Sequence, residues 1–595
     1  MRWLPKSADP VQVESLAARL RANSALRLTE PRLASTLAQL LVQRGIADEE
    51  TAERFLAPSL SHLHSPYAMN GMKAAVDRLE AAIERKEGIL IYGDYDVDGT
   101  TAIVILKTAI ELCGGAADFH VPHRIREGYG MKDDVIERAA AAGVRLIISV
   151  DTGIRAFAAA ETSARLGVDL IVTDHHLAAE DGVPEALAVL NPNQPGCGYP
   201  CKALCGAGVG FKLAQALMER RLATPDQSRM LTSFMKVVAI ATVADAVPLT
   251  GENRVFARLG LEALRAPVNA GLRALLEVAQ VGGGRPLTSG EVAFRVAPRL
   301  NAAGRMDVAR DVIELFTVRD ATRAREIANR LDQLNGERQE EERKILGAIY
   351  ARVEEDAALR ESYCMVIDGD GWHRGVIGIT ATRVVERYGR PTLVISREGD
   401  EGHGSGRSIA PFHLLNALDS CGPMFTRYGG HAHAVGFSLP ASRIVELRTH
   451  LDVYARERLT PADFEPSLKV DAELVLDQVS PELYQALCRM KPFGVGNPEP
   501  VFVARGVRMV APPRVIKDKH VKLKLGVANG NGWRQAVMFD ALGWHMGEKV
   551  KQAQLLAGDA LDVAFSVEHN EHPEWGGLEL SLRDFVSAGR RRHEP

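Results

Sequence analysis

GILIYGDYDVDGTTA, residues Gly88–Ala102, sets an apolar run of strand-forming residues directly against three alternating aspartates, Asp94, Asp96 and Asp98. Carboxylates this close raise one another's pKa unless a positive charge neutralises them. The segment therefore reads either as a solvated acidic turn or as a divalent-metal site. D-x-D-x-D-G opens an EF-hand loop, but that loop needs a bidentate Glu at position twelve, and counting from Asp94 that position is Ile105. The preceding flank is a strand and not an amphipathic helix, so the EF-hand is excluded. What remains is a strand ending in carboxylates, with Gly99, Thr100 and Thr101 opening the helix AIVILKTAIELC. In an open parallel sheet, ligands bind beyond the carboxyl ends of the strands, which is where these aspartates fall.

The same chemistry recurs downstream. SVDTGI puts Asp151 at the end of an apolar strand, and IVTDHH puts Asp174, His175 and His176 at the end of another. KVVAIATVADAVPL carries Asp245 in an apolar segment of helical character. Carboxylate oxygen and imidazole nitrogen are the ligands of Mn²⁺ and related metals, and two ions about 3.5–4 Å apart clamp a phosphoryl group during in-line attack by water. One acid at a strand end is ordinary. Acids and histidines at three strand ends, with a further Asp in an apolar run, are poorly explained by packing, because burying unpaired carboxylates carries a large cost.

At 595 residues the length prior is about four domains. Apolar residues at 46% and charged residues at 25% are the balance of a globular protein. The net charge of −4 argues against a uniformly basic nucleic-acid-binding surface and leaves room for a local basic groove. No run reaches the ~18 apolar residues of a membrane span, and MRWLPKSADPVQVESLAARL has no signal-peptide core. Seven cysteines in so long a chain suggest no disulfide framework, and a cytoplasmic setting is expected. Residues 1–72 read as a helical region, with LASTLAQLLVQRGI amphipathic. Residues 73–308 alternate strands and helices, which predicts βαβ units and a mostly parallel sheet. Residues 309–360 read as one long linking helix, with Ala324, Ile327, Leu331 and Leu334 on one face and ERQEEERK polar nearly all round. A second α/β lobe spans 361–462, and strands with turns between them over 466–588 predict a small β-barrel. The GRRRHEP tail reads as disordered. The fold class is α/β: two lobes joined by a long helix, plus a C-terminal barrel.

GDYDVDG, SVDTGI, TDHH and ATVADAVPL, in this order, resemble the four motifs of the DHH phosphoesterase superfamily. NPNQPGCGYPCKALCGAGVGFKL, APRLNAAGRM, GWHRGVIGI, GHGSGRS and GGHAHAVGF resemble the RecJ-type single-strand-specific exonucleases, and so does the order of parts, with an OB-fold at the C-terminus. The resemblance covers nearly the whole chain. It implies a 5′-to-3′ exonuclease specific for single-stranded DNA, releasing 5′-mononucleotides with two Mn²⁺ or Mg²⁺ ions, in DNA repair and recombination. It further implies a 5′ end as the substrate feature, and a single-strand-binding protein and a helicase as partners. Nothing suggests an obligate oligomer, so a monomer is expected. Asp96, Asp98, Asp151, His175 and Asp245 are the implied metal ligands. Asp94 is either a further ligand or a support for them. His176 is implied on the scissile phosphate or leaving oxygen, acting with Asp98 and His175 in catalysis. Some relatives carry a histidine four residues before the Asp96 position; Tyr92 stands there, which points to one weaker metal site or one filled only with substrate. Val435 replaces a usual alanine, with little consequence expected. The alternatives are a phosphodiesterase of short oligonucleotides or cyclic dinucleotides, against which the barrel argues, and a catalytically silent DNA-binding replication scaffold, against which the intact acids and histidines argue.

Gly402, Gly404 and Gly406 around Ser405 and Arg407 read as a flexible turn. Functionally, glycines admit an anion to the backbone while Ser and Arg donate to it. With Arg124 from VPHRIREGYG, Ser405 and Arg407 are the implied 5′-phosphate pocket; the other reading makes both arginines lobe-to-lobe salt bridges. His431, beside Gly429 and Gly430, reads the same way. Asn301 and Arg305 hold a second phosphate or fix a lobe interface. Lys517, Lys519, Lys522 and Lys524 crowd one strand region of the barrel, as a solvated face or as the electrostatic half of a single-strand groove. Cys197, Cys201 and Cys205 form no C-x2-C pair and so make a poor zinc pattern.

Overall fold

Runs such as ILIY, LIISV and LIVT are apolar on both faces, the signature of strands covered on both sides. In the computed structural model they lie side by side. It describes residues 1–23, 30–124, 126–128, 130–306, 309–529, 532–572 and 576–587. Five parallel strands run in the spatial order Asp118–His120, Gly88–Tyr92, Val144–Val150, Asp169–Thr173 and Ala188–Leu190. Leu90, Tyr92, Ile147, Leu170 and Val172 meet the helices Asp133–Ala141 and Phe157–Arg165 on one face. The buried helices Val97–Leu112 and Gly206–Arg221 cover the other. From Gly88–Tyr92 the chain first steps to one neighbour and then crosses to Val144–Val150 on the other side. The crevice beyond the carboxyl ends of those two strands is the topological switch point, and Asp94, Asp96, Asp98 and Asp151 follow those two strands.

The long helix expected over 309–360 is three helices: Arg310–Thr317, Ala321–Glu355 and Ala357–Glu361. Aspartates make the breaks. Asp320 accepts from the Arg323 N–H at 2.7 Å, and Asp356 from the Leu359 N–H at 3.1 Å, each capping the helix that follows. Ala324, Ile327 and Leu331 are buried as their spacing predicts. The polar stretch beyond them is not all exposed: Arg338 and Glu342 are buried and paired at 2.6 Å, and Arg338 also donates to Asn335 at 2.9 Å.

The second lobe is built on Met365–Asp370 and Thr392–Glu398, which pair in parallel, followed by antiparallel Glu401–Arg407, Ala434–Pro440 and Arg427–Gly430. The glycine-rich segment is thus a strand and not a turn. Its glycines fall on alternate residues and all face the packed side. A Cβ on Gly404 would lie 2.0 Å from Phe437, and one on Gly406 would lie 2.7 Å from Val435. His403, Ser405 and Arg407 project from the opposite face.

Residues 1–62, 248–254 and 466 onward form a unit separate from these two lobes. Strands Phe502–Met509, His520–Asn529, Gly532–Gly543, Ala560–Asn570 and Gly577–Ser587 close a ring, because Phe502–Met509 pairs with both His520–Asn529 and Ala560–Asn570. The N-terminal helices Pro10–Ala22, Pro31–Val42 and Glu49–Leu56 share a core with this barrel, joining Leu20, Leu37 and Phe55 to Leu487, Phe502 and Phe565. Arg2–Pro5 adds a parallel strand to Ser467–Val470. Arg254 is buried with its guanidinium 3.6 Å from the centre of the Phe55 ring, donating to the carbonyls of Phe55, Arg489 and Lys491. Lys517 and Lys519 lie in a hairpin turn, whereas Lys522 and Lys524 lie on a strand between buried Val521, Leu523 and Leu525. The tail from residue 588 lies outside the described residues. Among the described residues no helix is long and apolar enough to cross a membrane.

Candidate metal centre and anion cleft

Asp96 caps the helix Val97–Leu112, accepting from the Gly99 N–H at 3.0 Å. The turn closes so tightly that a Cβ on Gly99 would sit 2.6 Å from the Asp94 nitrogen. Asp98, one residue into the helix, is buried and accepts from the N–H groups of Gly206 and Ala207 at 2.5 and 2.8 Å. These are the first residues of the helix Gly206–Arg221, whose positive end favours a carboxylate. Asp151 takes a left-handed backbone with φ of 59°. A Cβ on Gly206 would come within 2.5 Å of its carboxylate, so only glycine lets this helix reach the site. Asp245 ends the helix Thr224–Ala244.

His175 unites these groups. Its Nε2 lies 3.2 Å from Asp151 Oδ1 and 3.8 Å from both Asp98 Oδ2 and Asp245 Oδ2. Three sets of side chains converge closely enough to hold an ion: Asp98, His175 and Asp245; Asp94, Asp96 and Asp151; and Asp151, His175 and His176. Asp151 belongs to two of them and stands between the rest. Burial and the neighbouring carboxylates push the pKa values of Asp94, Asp151 and Asp245 well up. Burial also raises Asp98, against the pull of His175. Asp94 Oδ1 and Asp245 Oδ2 are buried without a hydrogen-bond partner among the described residues. Orphaned oxygens in a nest of repelling carboxylates are what a divalent cation would neutralise, and the donor set of carboxylates and one imidazole fits Mn²⁺ or Mg²⁺.

Asp174 has a different task. It is fully buried at the strand end and accepts from the N–H groups of Ile154, His175 and His176. Its Oδ1 also takes the Nδ1 proton of His176 at 2.7 Å. Burial alone would lower the His176 pKa, but this bond and charge raise it, and the same bond holds Asp174 down. His175 goes the other way: burial lowers its pKa and keeps the imidazole neutral for coordination. Tyr92 packs beside Val135 and Ile136 and gives its hydroxyl to the Gly130 carbonyl at 3.3 Å. It takes part in none of the three sets.

Beside the cluster opens a cleft of about 540 Å³. Arg124, Arg305, Ser405 and Arg407, all singled out in the sequence, line it together, and the structure adds Arg374 and Arg427. Tyr95, between Asp94 and Asp96, lines it too and lies beneath Arg124, 4.9 Å from guanidinium to ring centre. Arg407 donates to Ser405 Oγ at 3.2 Å. Burial and Arg124 lower its pKa; burial and the neighbouring arginines bring that of Arg305 down to about 9. So much crowded positive charge calls for an anion. His431 sits elsewhere, in a cavity of about 720 Å³ with His175, His176, Met131, Ile154 and Leu177. Asn301 does not line the cleft. Its side-chain oxygen accepts from the Val97 N–H at 3.2 Å. The barrel lysines belong to the other unit, and Lys522 is paired with Asp540 at 2.9 Å. Among the described residues Cys197, Cys201 and Cys205 join no converging set of ligands.

Sequence reading missed Gly206, Arg374 and Arg427 as parts of these sites, and gave Asp174 no role apart from its neighbours. Asp174 was visible as the first residue of D-H-H, but its hydrogen bonds are what separate it from the ligands. GWHRGVIGI contains Arg374, and its glycines signalled a close approach; Arg427 carried no signal.

Comparison with known proteins follows the same division. The DHH family N-terminal domain matches residues 88–242, the DHHA1 domain 349–457 and the RecJ OB domain 470–584. The chain is 34% identical over 589 residues to the single-stranded-DNA-specific exonuclease RecJ of Bacillus subtilis, covering 98% of this chain and 70% of that protein. It is 35% identical over 533 residues to the exonuclease of the same name from Dickeya dadantii, covering 86% and 90%. Among solved structures, RecJ in complex with Mn²⁺ from Thermus thermophilus superposes with a TM-score of 0.81 at 28% identity, over 98% of this chain and 79% of that one.

Proposed function

The chain belongs to the RecJ family of single-stranded-DNA-specific exonucleases, and we propose that its converging carboxylates and His175 form the hydrolytic centre while the arginine cleft beside them holds the 5′ end. The chain is a metal-dependent exonuclease acting on single-stranded DNA. The observation that carries the assignment of parts is the position of Tyr95, which lines the cleft while its two neighbours in sequence, Asp94 and Asp96, join the metal set.

Asp98, His175 and Asp245 would hold one ion and Asp94 and Asp96 the other, with Asp151 within reach of both sets. The chemistry that Mn²⁺ or Mg²⁺ held there would supply is activation of a water and neutralisation of charge on the phosphodiester. The rest is done by the chain. The Gly206 and Ala207 N–H groups fix Asp98. Asp174 fixes the His176 ring through Nδ1 and favours its charged form, leaving Nε2 to donate to the scissile phosphate or to the departing 3′ oxygen. Arg124, Arg407 and Ser405 offer charge-assisted donors to a terminal phosphate, with Arg305 and Arg374 at the same cleft. A 5′ end held there sets the direction as 5′ to 3′ and releases a mononucleotide at each step. His431 supports the strand in the neighbouring cavity. The regions 1–72, 73–308, 309–360, 361–462 and 466–588 are our proposed division along the chain, the first and last sharing one core.

The seven cysteines, none of them in a disulfide, support a reducing, cytoplasmic setting. A single-strand-binding protein and a helicase, supplying unwound strands to a monomeric enzyme, complete the proposal. The test is hydrolysis of end-labelled single strands, duplexes and dinucleotides with Mn²⁺ and with Mg²⁺. Mononucleotides released from the 5′ end of single strands alone are expected. Cleavage confined to dinucleotides would replace this reading with a short-oligonucleotide phosphodiesterase.

A further inference from the structure

Arg124 stands on a loop, and a loop aims a side chain only as well as its own backbone is held. This loop leaves the sheet at His120, the last residue of the strand Asp118–His120, and runs past Gly130 to the helix Asp133–Ala141. Tyr92 touches it at both ends. It pairs level with His120 in the two parallel strands, and the Gly93 N–H donates to the His120 carbonyl at 3.0 Å. The Tyr92 and His120 rings lie against each other with 5.0 Å between centres, and the Tyr92 hydroxyl donates to the Gly130 carbonyl.

Glu127 closes the loop from within. Its Oε2 lies 3.1 Å from His120 Nε2, and its Oε1 accepts from the His123 N–H at 2.8 Å. The Glu127 N–H donates back to the His123 carbonyl at 2.8 Å. His123 Nδ1 accepts from the Arg126 N–H at 3.3 Å. Arg124 falls inside this closed turn and is set over the Tyr95 ring. An acid three residues from an anion-binding arginine would compete for it if left loose, since opposite charges within a few ångströms attract strongly away from bulk water. Here both carboxylate oxygens are engaged by His120 and His123. The cleft is lined by Arg124 and Gly128 and not by Glu127.

We propose that Glu127 is a positioning residue for Arg124: clasped to His120 and His123, with Tyr92 as the post behind, it presents the guanidinium to the strand end and keeps its own charge off the cleft. The inference rests on the reading of the arginine cleft as the holder of the 5′ end and adds the residue that sets how strongly a terminal phosphate is preferred. It also gives Tyr92 a task outside the metal sets.

The test measures cutting of matched single strands that carry a 5′ phosphate or a 5′ hydroxyl, and reads the ratio of the two rates. Arg124→Ala is expected to lower this ratio about ten- to a hundredfold, the worth of one charge-assisted bond, and Glu127→Ala about three- to tenfold, a part of it. Glu127→Gln keeps both bonds, with its carbonyl oxygen on the His123 N–H and its NH₂ on His120 Nε2, and should restore most of the ratio. In the Arg124→Ala background Glu127→Ala should change the ratio less than about twofold, because the two act as one unit. A ratio lowered by Arg124→Ala and untouched by Glu127→Ala overturns this inference alone. So does a loss in Glu127→Gln equal to that in Glu127→Ala, or a further loss in the double variant. A ratio unmoved by Arg124→Ala removes the 5′-end reading and this inference with it.

Discussion

Asn301 accepts the backbone N–H of Val97 at 3.2 Å, tying the helix Ala297–Met306 to the loop that carries Asp96 and Asp98. Gly304 on the same helix presses against Tyr95, where a Cβ would fall 2.2 Å from the carbonyl oxygen. One turn on from Asn301, Arg305 enters the anion cleft. Asn301 is therefore a positioning residue for the metal loop. Asn301→Ala removes one hydrogen bond worth about 0.5–1.5 kcal/mol and should raise the Mn²⁺ concentration for half-maximal activity about two- to tenfold, with KM for DNA little changed. A raised KM at unchanged metal dependence would return Asn301 to the substrate.

Asp151 stands in two of the converging sets, so its loss should reach both ions. Asp151→Asn keeps a residue that tolerates its left-handed backbone and removes the charge. Hydrolysis should fall by more than about a hundredfold, since even groups that only support a ligand are worth 10- to 100-fold. The metal-free variant should melt higher than metal-free wild type, because one carboxylate of a repelling buried group is gone. Near-normal turnover would remove Asp151 from the metal site.

The metal centre was legible because apolar strands that end abruptly in Asp and His leave little else for those residues to do. The sheet was legible for the same reason, each strand being marked by its apolar run. The division of labour inside D-H-H was not, since only side-chain direction distinguishes Asp174, which holds His176, from His175, which faces three carboxylates. The strand Glu401–Arg407 was misread because glycine weakens any local strand signal. Its evidence lies in Phe437 and Val435, thirty residues away. The union of the N-terminal helices with the barrel, and the arrival of Arg374 and Arg427 in the cleft, are non-local contacts that no local period records.

Gly404 tests that strand. Gly404→Ala would force its Cβ onto Phe437 and should lower stability by about 1–3 kcal/mol, as overpacking does. Phe437→Leu should recover part of this in the double variant, giving a coupling energy of about 0.5–3 kcal/mol in a thermal-unfolding cycle. Additive effects would mean that the glycine serves flexibility and not close packing.

Arg407 decides whether the cleft reads a strand end. A terminal 5′ phosphate differs from an internal phosphodiester by one ionisable oxygen, so a pocket that tells them apart needs several donors converging from different sides. Arg407 and Ser405 come from one lobe and Arg124 from the other, and all three line the same cleft, with no carboxylate among the described residues that line it. That absence weighs against salt bridges as the purpose of these arginines. Arg407→Ala should slow cutting of 5′-phosphorylated strands about ten- to a hundredfold more than cutting of 5′-hydroxyl strands, the worth of a charge-assisted bond of roughly 1.5–3 kcal/mol. Arg407→Lys should recover only part, since an ammonium lacks the planar fork. Rates measured on matched oligonucleotides differing only at the 5′ end give the ratio directly. An equal loss on both would make Arg407 a brace between the lobes and leave end recognition to other residues.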